Sequence, residues 1–138
     1  MNDPDKGYWL YAYNSLGEMR RQLDSKNQAI DFTYDALGRV IDRRELKNVS
    51  SLSDATFSTV NRETTSYKTT SPGKSQITAV TYRSGELGAI LYKKTFIYDS
   101  FGRLDLASTT IGSEQFVVEA KSNRPIQPGI SAVRCIRR

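Results

Sequence analysis

Phe32-Thr33-Tyr34-Asp35-Ala36-Leu37-Gly38-Arg39-Val40 is the stretch that decides the fold. Upstream of the turn, Ile30, Phe32 and Tyr34 alternate with Asp31 and Thr33, the period of two of a β-strand. An aspartate such as Asp35 can bond its own backbone two residues on and so open a turn, and a glycine such as Gly38 accepts positive φ within it. Val40 then resumes the apolar text. The same form recurs at Tyr13-Asn14-Ser15-Leu16-Gly17-Glu18 and at Tyr98-Asp99-Ser100-Phe101-Gly102-Arg103, followed by Met19 and Leu104. The first two copies lie 21 residues apart; the third lies 64 beyond the second, close to three further periods. Between them, Tyr82-Arg83-Ser84-Gly85-Glu86-Leu87 is the nearest echo.

Each unit reads as strand, turn, strand, second turn, with Ser25-Lys26-Asn27-Gln28 as the second turn of the first unit. Two strands every ~21 residues agree with ordinary strand and hairpin-loop lengths. The expected fold is therefore all-β, a continuous antiparallel meander. Phe96 and Tyr98 mark a strand before the third motif, and Phe116 and Val118 mark another. Tyr8-Trp9-Leu10-Tyr11-Ala12-Tyr13 is apolar or aromatic on both faces, as in a strand covered on both sides. The organisation expected is a lead-in at 1–7, a repeat sheet over 8–120 and a tail at 121–138, with a Ser/Thr-rich part at 47–75. Within residues 50–75, 13 of 26 are Ser or Thr, which suits irregular strands and long hairpins, with a mobile linker as the alternative.

Charge and composition narrow the function. The chain of 138 residues has 20 Lys+Arg, 15 Asp+Glu, no histidine and one cysteine, Cys135. Without histidine there is no Ser-His-Asp or Cys-His catalysis, no His-ligated zinc and no His-based pH switch. A single cysteine excludes an intrachain disulfide framework and a four-cysteine metal site. All the acidic residues lie between Asp3 and Glu119, and Lys121, Arg124, Arg134, Arg137 and Arg138 account for the whole formal charge of +5. In the body the signs are interspersed, as in Arg20-Arg21-Gln22-Leu23-Asp24 and Asp42-Arg43-Arg44-Glu45. Such mixing predicts a solvated face and not a phosphate-gripping field, so nucleic acid is disfavoured as a partner. No apolar run approaches the ~18 residues of a membrane span, and the polar N-terminus is not a signal peptide.

On these three motifs the chain resembles the YD-repeat, or Rhs, family, over about residues 8–118. The resemblance implies repeats wound into a hollow β shell that, in bacterial toxins, encloses a C-terminal toxin; toxin-complex B and C components and teneurins share the repeat. It further implies that Tyr13, Tyr34 and Tyr98 pack and lock turns. Gly17, Gly38 and Gly102 serve the turn, Asn14, Asp35 and Asp99 cap it, and Arg39 and Arg103 lie against neighbouring strands or carboxylates. About three repeats are too few to close a shell, so the chain reads as part of an open or incomplete one. Arg124-Pro125-Ile126-Gln127-Pro128-Gly129 lacks the aspartate of the family's boundary before the toxin.

The expected role is thus non-catalytic encapsulation within a larger exported protein, secreted or at the cell surface, without cofactor or metal. The partners expected are the remaining shell repeats or self-association through edge strands, and a toxin cargo. The alternative is a module that binds a glycan or a cell-surface protein through exposed aromatics, with Tyr8, Trp9 and Tyr11 as the contact face. Other chemistry is weaker. Asp35 and Asp99 are the obvious acid/base pair, yet both stand at turn-opening positions. Ser71-Pro72-Gly73-Lys74-Ser75 lacks the first glycine of a phosphate loop, and Asn48-Val49-Ser50 is a short sequon. Cys135 among arginines would favour the thiolate if exposed.

Overall fold

A computed structural model describes residues 2–3, 7–71, 74–119 and 136–137. They form β1 (Asn2–Asp3), β2 (Gly7–Tyr13), β3 (Met19–Asp24), β4 (Gln28–Tyr34), β5 (Val40–Lys47) and β6 (Ser58–Tyr67). After these come β7 (Ile77–Ser84), β8 (Ile90–Tyr98), β9 (Leu104–Ile111), β10 (Glu114–Glu119) and β11 (Ile136–Arg137). Strand order in the sheet follows chain order from β1 to β11, so the fold is the all-β antiparallel meander the alternation predicts. No helix occurs among the described residues. Pro72, Gly73, Cys135 and the tail other than Ile136–Arg137 lie outside them, and with them most of the phosphate-loop, thiol and tail expectations.

Two compact units divide the chain: Met1–Thr64 with Tyr82–Ala89, and Thr65–Thr81 with Ile90–Arg138. In the first, strand register sets one apolar row across the sheet. Leu10 faces Leu23, Leu23 faces Ala29 and Ala29 faces Leu46. Leu23, Ala29 and Leu46 are buried because the connection between β5 and β6 folds over them, bringing in Val49, Leu52 and Phe57. Val49, with no exposed surface, is the centre of that contact.

The covering segment is held by polar bonds. Asp54 accepts from the backbone N–H groups of Ser50 and Thr56 at 2.8 Å each, and from their hydroxyls at 2.6 and 2.7 Å. Arg21 rises from the sheet to meet it. Its Nη1 donates to the carbonyls of Leu52 (3.3 Å) and Asp54 (2.6 Å), and its guanidinium lies 5.3 Å from the Phe57 ring centroid. Asp31 on the facing strand accepts from Nε and Nη2 at 2.6 Å each, a bidentate pair. The interspersed charges of the body are therefore not all solvated, contrary to expectation: Arg21 is 5% and Asp42 7% exposed. Asp42 is held by Arg62 through both oxygens at 3.0 Å and by Arg44 Nε at 3.0 Å. Cross-strand register, invisible in a local window, brings Arg21 to Asp31 and Arg62 to Asp42.

The second unit is built differently. Among its described residues no apolar side chain is buried. Its β8–β9 ladder runs from Tyr92↔Ile111 to Tyr98↔Leu104. The only buried side chain described there is Ser108, whose hydroxyl meets that of Thr95 across the strands at 2.5 Å. Ile97 and Ile111 are each more than half exposed.

Three expectations need correcting. β2 is not covered on both sides, with Tyr8 53% and Tyr13 60% exposed, and no aromatic is among the buried side chains of the described residues. The 64 residues between the second and third motifs hold two hairpins and not three periods, because the β5–β6 connection and the longer strands take up the length. Tyr82–Leu87 is not a fourth motif turn: it runs into the β7–β8 connection, whereas the motif turns close β2–β3, β4–β5 and β8–β9. Residues 58–67 of the Ser/Thr-rich part are a regular strand, while 48–57 are the covering segment.

Since the first unit carries the apolar contacts, Leu46→Ala is expected to cost about 2–4 kcal/mol. Leu16→Ala, at a position 81% exposed, should stay within about 0.5 kcal/mol. Urea titration followed by Trp9 fluorescence reads both.

Candidate functional site

The three motif turns are one structure built three times. In the second, Asp35 N–H donates to the Arg39 carbonyl at 2.9 Å and Gly38 N–H to the Asp35 carbonyl at 3.0 Å. Asp35 Oδ1 accepts from the N–H groups of Leu37 and Arg39 at 2.9 and 3.1 Å, leaving Oδ2 for Arg39 Nε at 2.7 Å. The third turn repeats this, with Asp99 Oδ1 on Phe101 and Arg103 N–H at 2.9 Å each and Oδ2 on Arg103 Nε at 2.8 Å. Gly17, Gly38 and Gly102 take φ of 81°, 74° and 78°, the left-handed region where a side chain is strained. A register shift falls immediately before each motif tyrosine, at Ala12/Tyr13, Thr33/Tyr34 and Ile97/Tyr98. The bulge is thus part of the repeat, and nothing in the residue types announces it.

The first turn inverts the side-chain bond. Asn14 Oδ1 accepts from Leu16 and Glu18 N–H at 3.0 and 2.9 Å, as in the other copies. Its second polar atom is a donor, so Asn14 Nδ2 gives to Glu18 Oε2 at 2.6 Å where Asp35 accepts from Arg39. Glu18 stands where the other turns have arginine because asparagine needs an acceptor there. The arginines Arg39 and Arg103 lie against their own turn's carboxylate.

The tyrosines tie each turn backwards. Tyr34 O–H donates to the Met19 carbonyl at 2.8 Å and Tyr98 O–H to the Ile77 carbonyl at 2.7 Å. Each bond joins a motif tyrosine to a strand of the hairpin before it. Tyr13 opens the first copy, and no hydrogen bond holds its hydroxyl among the described residues. Gln76 Nε2 adds a bond to the Gly102 carbonyl at 2.6 Å, a support for the third turn that carries no sequence signal.

The carboxylates of Asp35 and Asp99 are each taken up by their own turn. The Arg39 guanidinium holds the Asp35 carboxyl below the usual carboxylate range. Bonds from the Arg103 backbone and side chain do the same for Asp99. The Ser50 and Thr56 hydroxyls and N–H groups depress Asp54 most. In the sequon, Asn48 has φ of 62°, Val49 is buried and the Ser50 hydroxyl is bonded to Asp54.

Strand alternation separates the expected contact face: Trp9 and Tyr11 share one side of β2, and Tyr8 lies on the other with Leu10. On the Trp9 side a groove of about 440 Å³ crosses the first unit, lined by Trp9, Gln22, Gln28, Ile30, Glu45 and Lys47 among others. Glu45 is held by Asn61 and Arg43 at 2.8 and 2.7 Å, and stays ionised below the ordinary range because of them.

No family model matches the chain, and no curated protein is found as a relative.

The inverted pair gives a double-mutant test. Asp35→Asn alone presents an amide donor to the Arg39 guanidinium and should lower the thermal midpoint by a few degrees. Arg39→Glu alone sets two carboxylates together and should do the same. The double variant rebuilds the first turn's bond and should recover most of the loss; calorimetry of the four proteins measures the coupling. Acid unfolding tests the carboxylates together. Because Asp35, Asp54 and Asp99 are depressed in the folded state, their contribution is complete above about pH 4 and is lost as pH falls through the lowered values. Asp54→Asn should flatten that acid limb in a pH series of melts.

Proposed function

We propose that this chain is a structural segment of a YD-repeat, Rhs-type shell, non-catalytic itself, which helps enclose a toxin carried by the same exported protein. The observation that supports the reading most is the threefold recurrence of one turn, with its tyrosine, Asx cap, glycine and preceding bulge, in hairpins that follow one another in a meander. A repeated hairpin whose bonds are spent on holding the next hairpin is suited to building wall, and its bonded carboxylates are structural in kind. On this reading the edges of the sheet pair with flanking repeats, and the faces serve as the shell's two surfaces. The glycan alternative has less behind it, since Tyr8 stands apart from Trp9 and Tyr11.

The test is the full product of the gene. Purified and imaged by electron microscopy, it should be a hollow particle, with Tyr-Asp-x-x-Gly hairpins before this segment and a small toxin domain after it. A product with no further repeats and no enclosed domain would overturn the proposal.

A further inference from the structure

We infer that Arg44, Arg62 and Thr59 form a carboxylate-binding site on the first unit's sheet, filled from within the chain by Glu86 and open to an external carboxylate when the tip carrying Glu86 lifts. The register of β5 against β6 sets Arg44 directly opposite Arg62. Like charges directly opposite destabilise a pair of strands, so the two guanidinium groups need anions beside them. Asp42, two residues before Arg44, supplies one. It accepts from Arg62 Nε and Nη2 and from Arg44 Nε, at 3.0 Å each. Two guanidinium groups against one carboxylate leave one positive charge over.

Glu86, in the connection between β7 and β8, brings the second carboxylate. Its Oε1 accepts from Arg62 Nη1 at 2.7 Å and lies 3.5 Å from Arg44 Nη2. Its Oε2 accepts from the Thr59 hydroxyl at 3.1 Å. Thr59 is on the same side because it faces Leu46, which shares a face with Arg44. The sheet thus supplies donors to both oxygens of one carboxylate, and a loop delivers the guest. Asp42 is fixed, with 10% of its side chain exposed, whereas 42% of the Glu86 side chain is in water. No residue of Gly85–Ala89 is buried, so polar bonds hold the tip: those of Glu86, and Gly85 N–H on the Val60 carbonyl at 2.7 Å. Opening such a tip uncovers none of its own apolar core and leaves the arginine pair one anion short. A single charge and donors to two oxygens suit a monocarboxylate, either a small free acid or the side chain of an aspartate or glutamate in a peptide. The site stands whether or not the chain builds a shell.

Glu86→Ala empties the site and should lower the thermal midpoint by a few degrees. Replacing chloride by acetate at a constant ionic strength of about 0.15 M should recover about half of that loss or more in the variant, and move the wild type by less than about one degree. A blocked Gly-Glu-Gly peptide separates the sources: recovery with it as with acetate marks an acidic side chain as ligand, and recovery with acetate alone marks a small free acid. Equal midpoints in acetate and chloride would overturn the site. An equal rise in variant and wild type would do so too, being a general salt effect. Should the variant fail to fold, wild-type amide exchange decides. Acetate holds the tip open, so the Gly85 N–H should exchange severalfold faster in acetate than in chloride, and equal rates would overturn the site.

Discussion

One side-chain oxygen, two and four residues ahead of the N–H groups it accepts, is the constraint on which the meander depends. Asp35 Oδ1 fixes Leu37 and Arg39, which fixes where the chain reverses. The place of reversal fixes the register of β4 against β5, and with it which residues face the covered side. Were the turn to slip by one residue, Leu46 would exchange faces with Glu45 or Lys47, because side chains in a strand alternate. Local polar geometry therefore decides where the apolar contacts fall.

A second level is set by Arg21. The first unit has a modest apolar core, and its cover is a ten-residue connection without regular structure. Such a cover needs a fastening, and a buried guanidinium provides one: one edge bound by Asp31, two donors on carbonyls of the cover, and a face on Phe57. Taking a charge out of water is costly unless it is fully bonded. Here each of its three nitrogens donates, and the Asp31 carboxylate holds the guanidinium more firmly protonated than usual. The second unit has no such fastening among its described residues and relies on strand pairing.

The strands and turns were legible because their signals are local. Alternation marked β4, and Asp-x-x-Gly marked the reversal at 35–38, each within a few residues. What depended on distant partners was not legible. Arg21 and Asp42 look like surface charges in any short window, and only register brings Arg21 to Asp31 and Asp42 to Arg62. The motif tyrosines stand beside their turns in sequence, and the Met19 and Ile77 carbonyls they bind belong to earlier hairpins. The spacing of 64 residues is not three periods, because the hairpin is the repeating unit and its length is free. Aromatic text in β2 suggested burial on both faces; its place beside the two-residue β1 leaves the tyrosines in water instead.

The inverted bond of the first turn has a consequence for descent. Asn14–Glu18 and Asp35–Arg39 are two solutions of the same geometry, separated by two substitutions, and either single substitution sets donor against donor or carboxylate against carboxylate. A change at one of these positions then calls for the matching change at the other, and the two act as one unit of donor and acceptor. A comparison that scores positions one at a time counts the first turn as two losses. Scored by donors and acceptors, it has lost nothing.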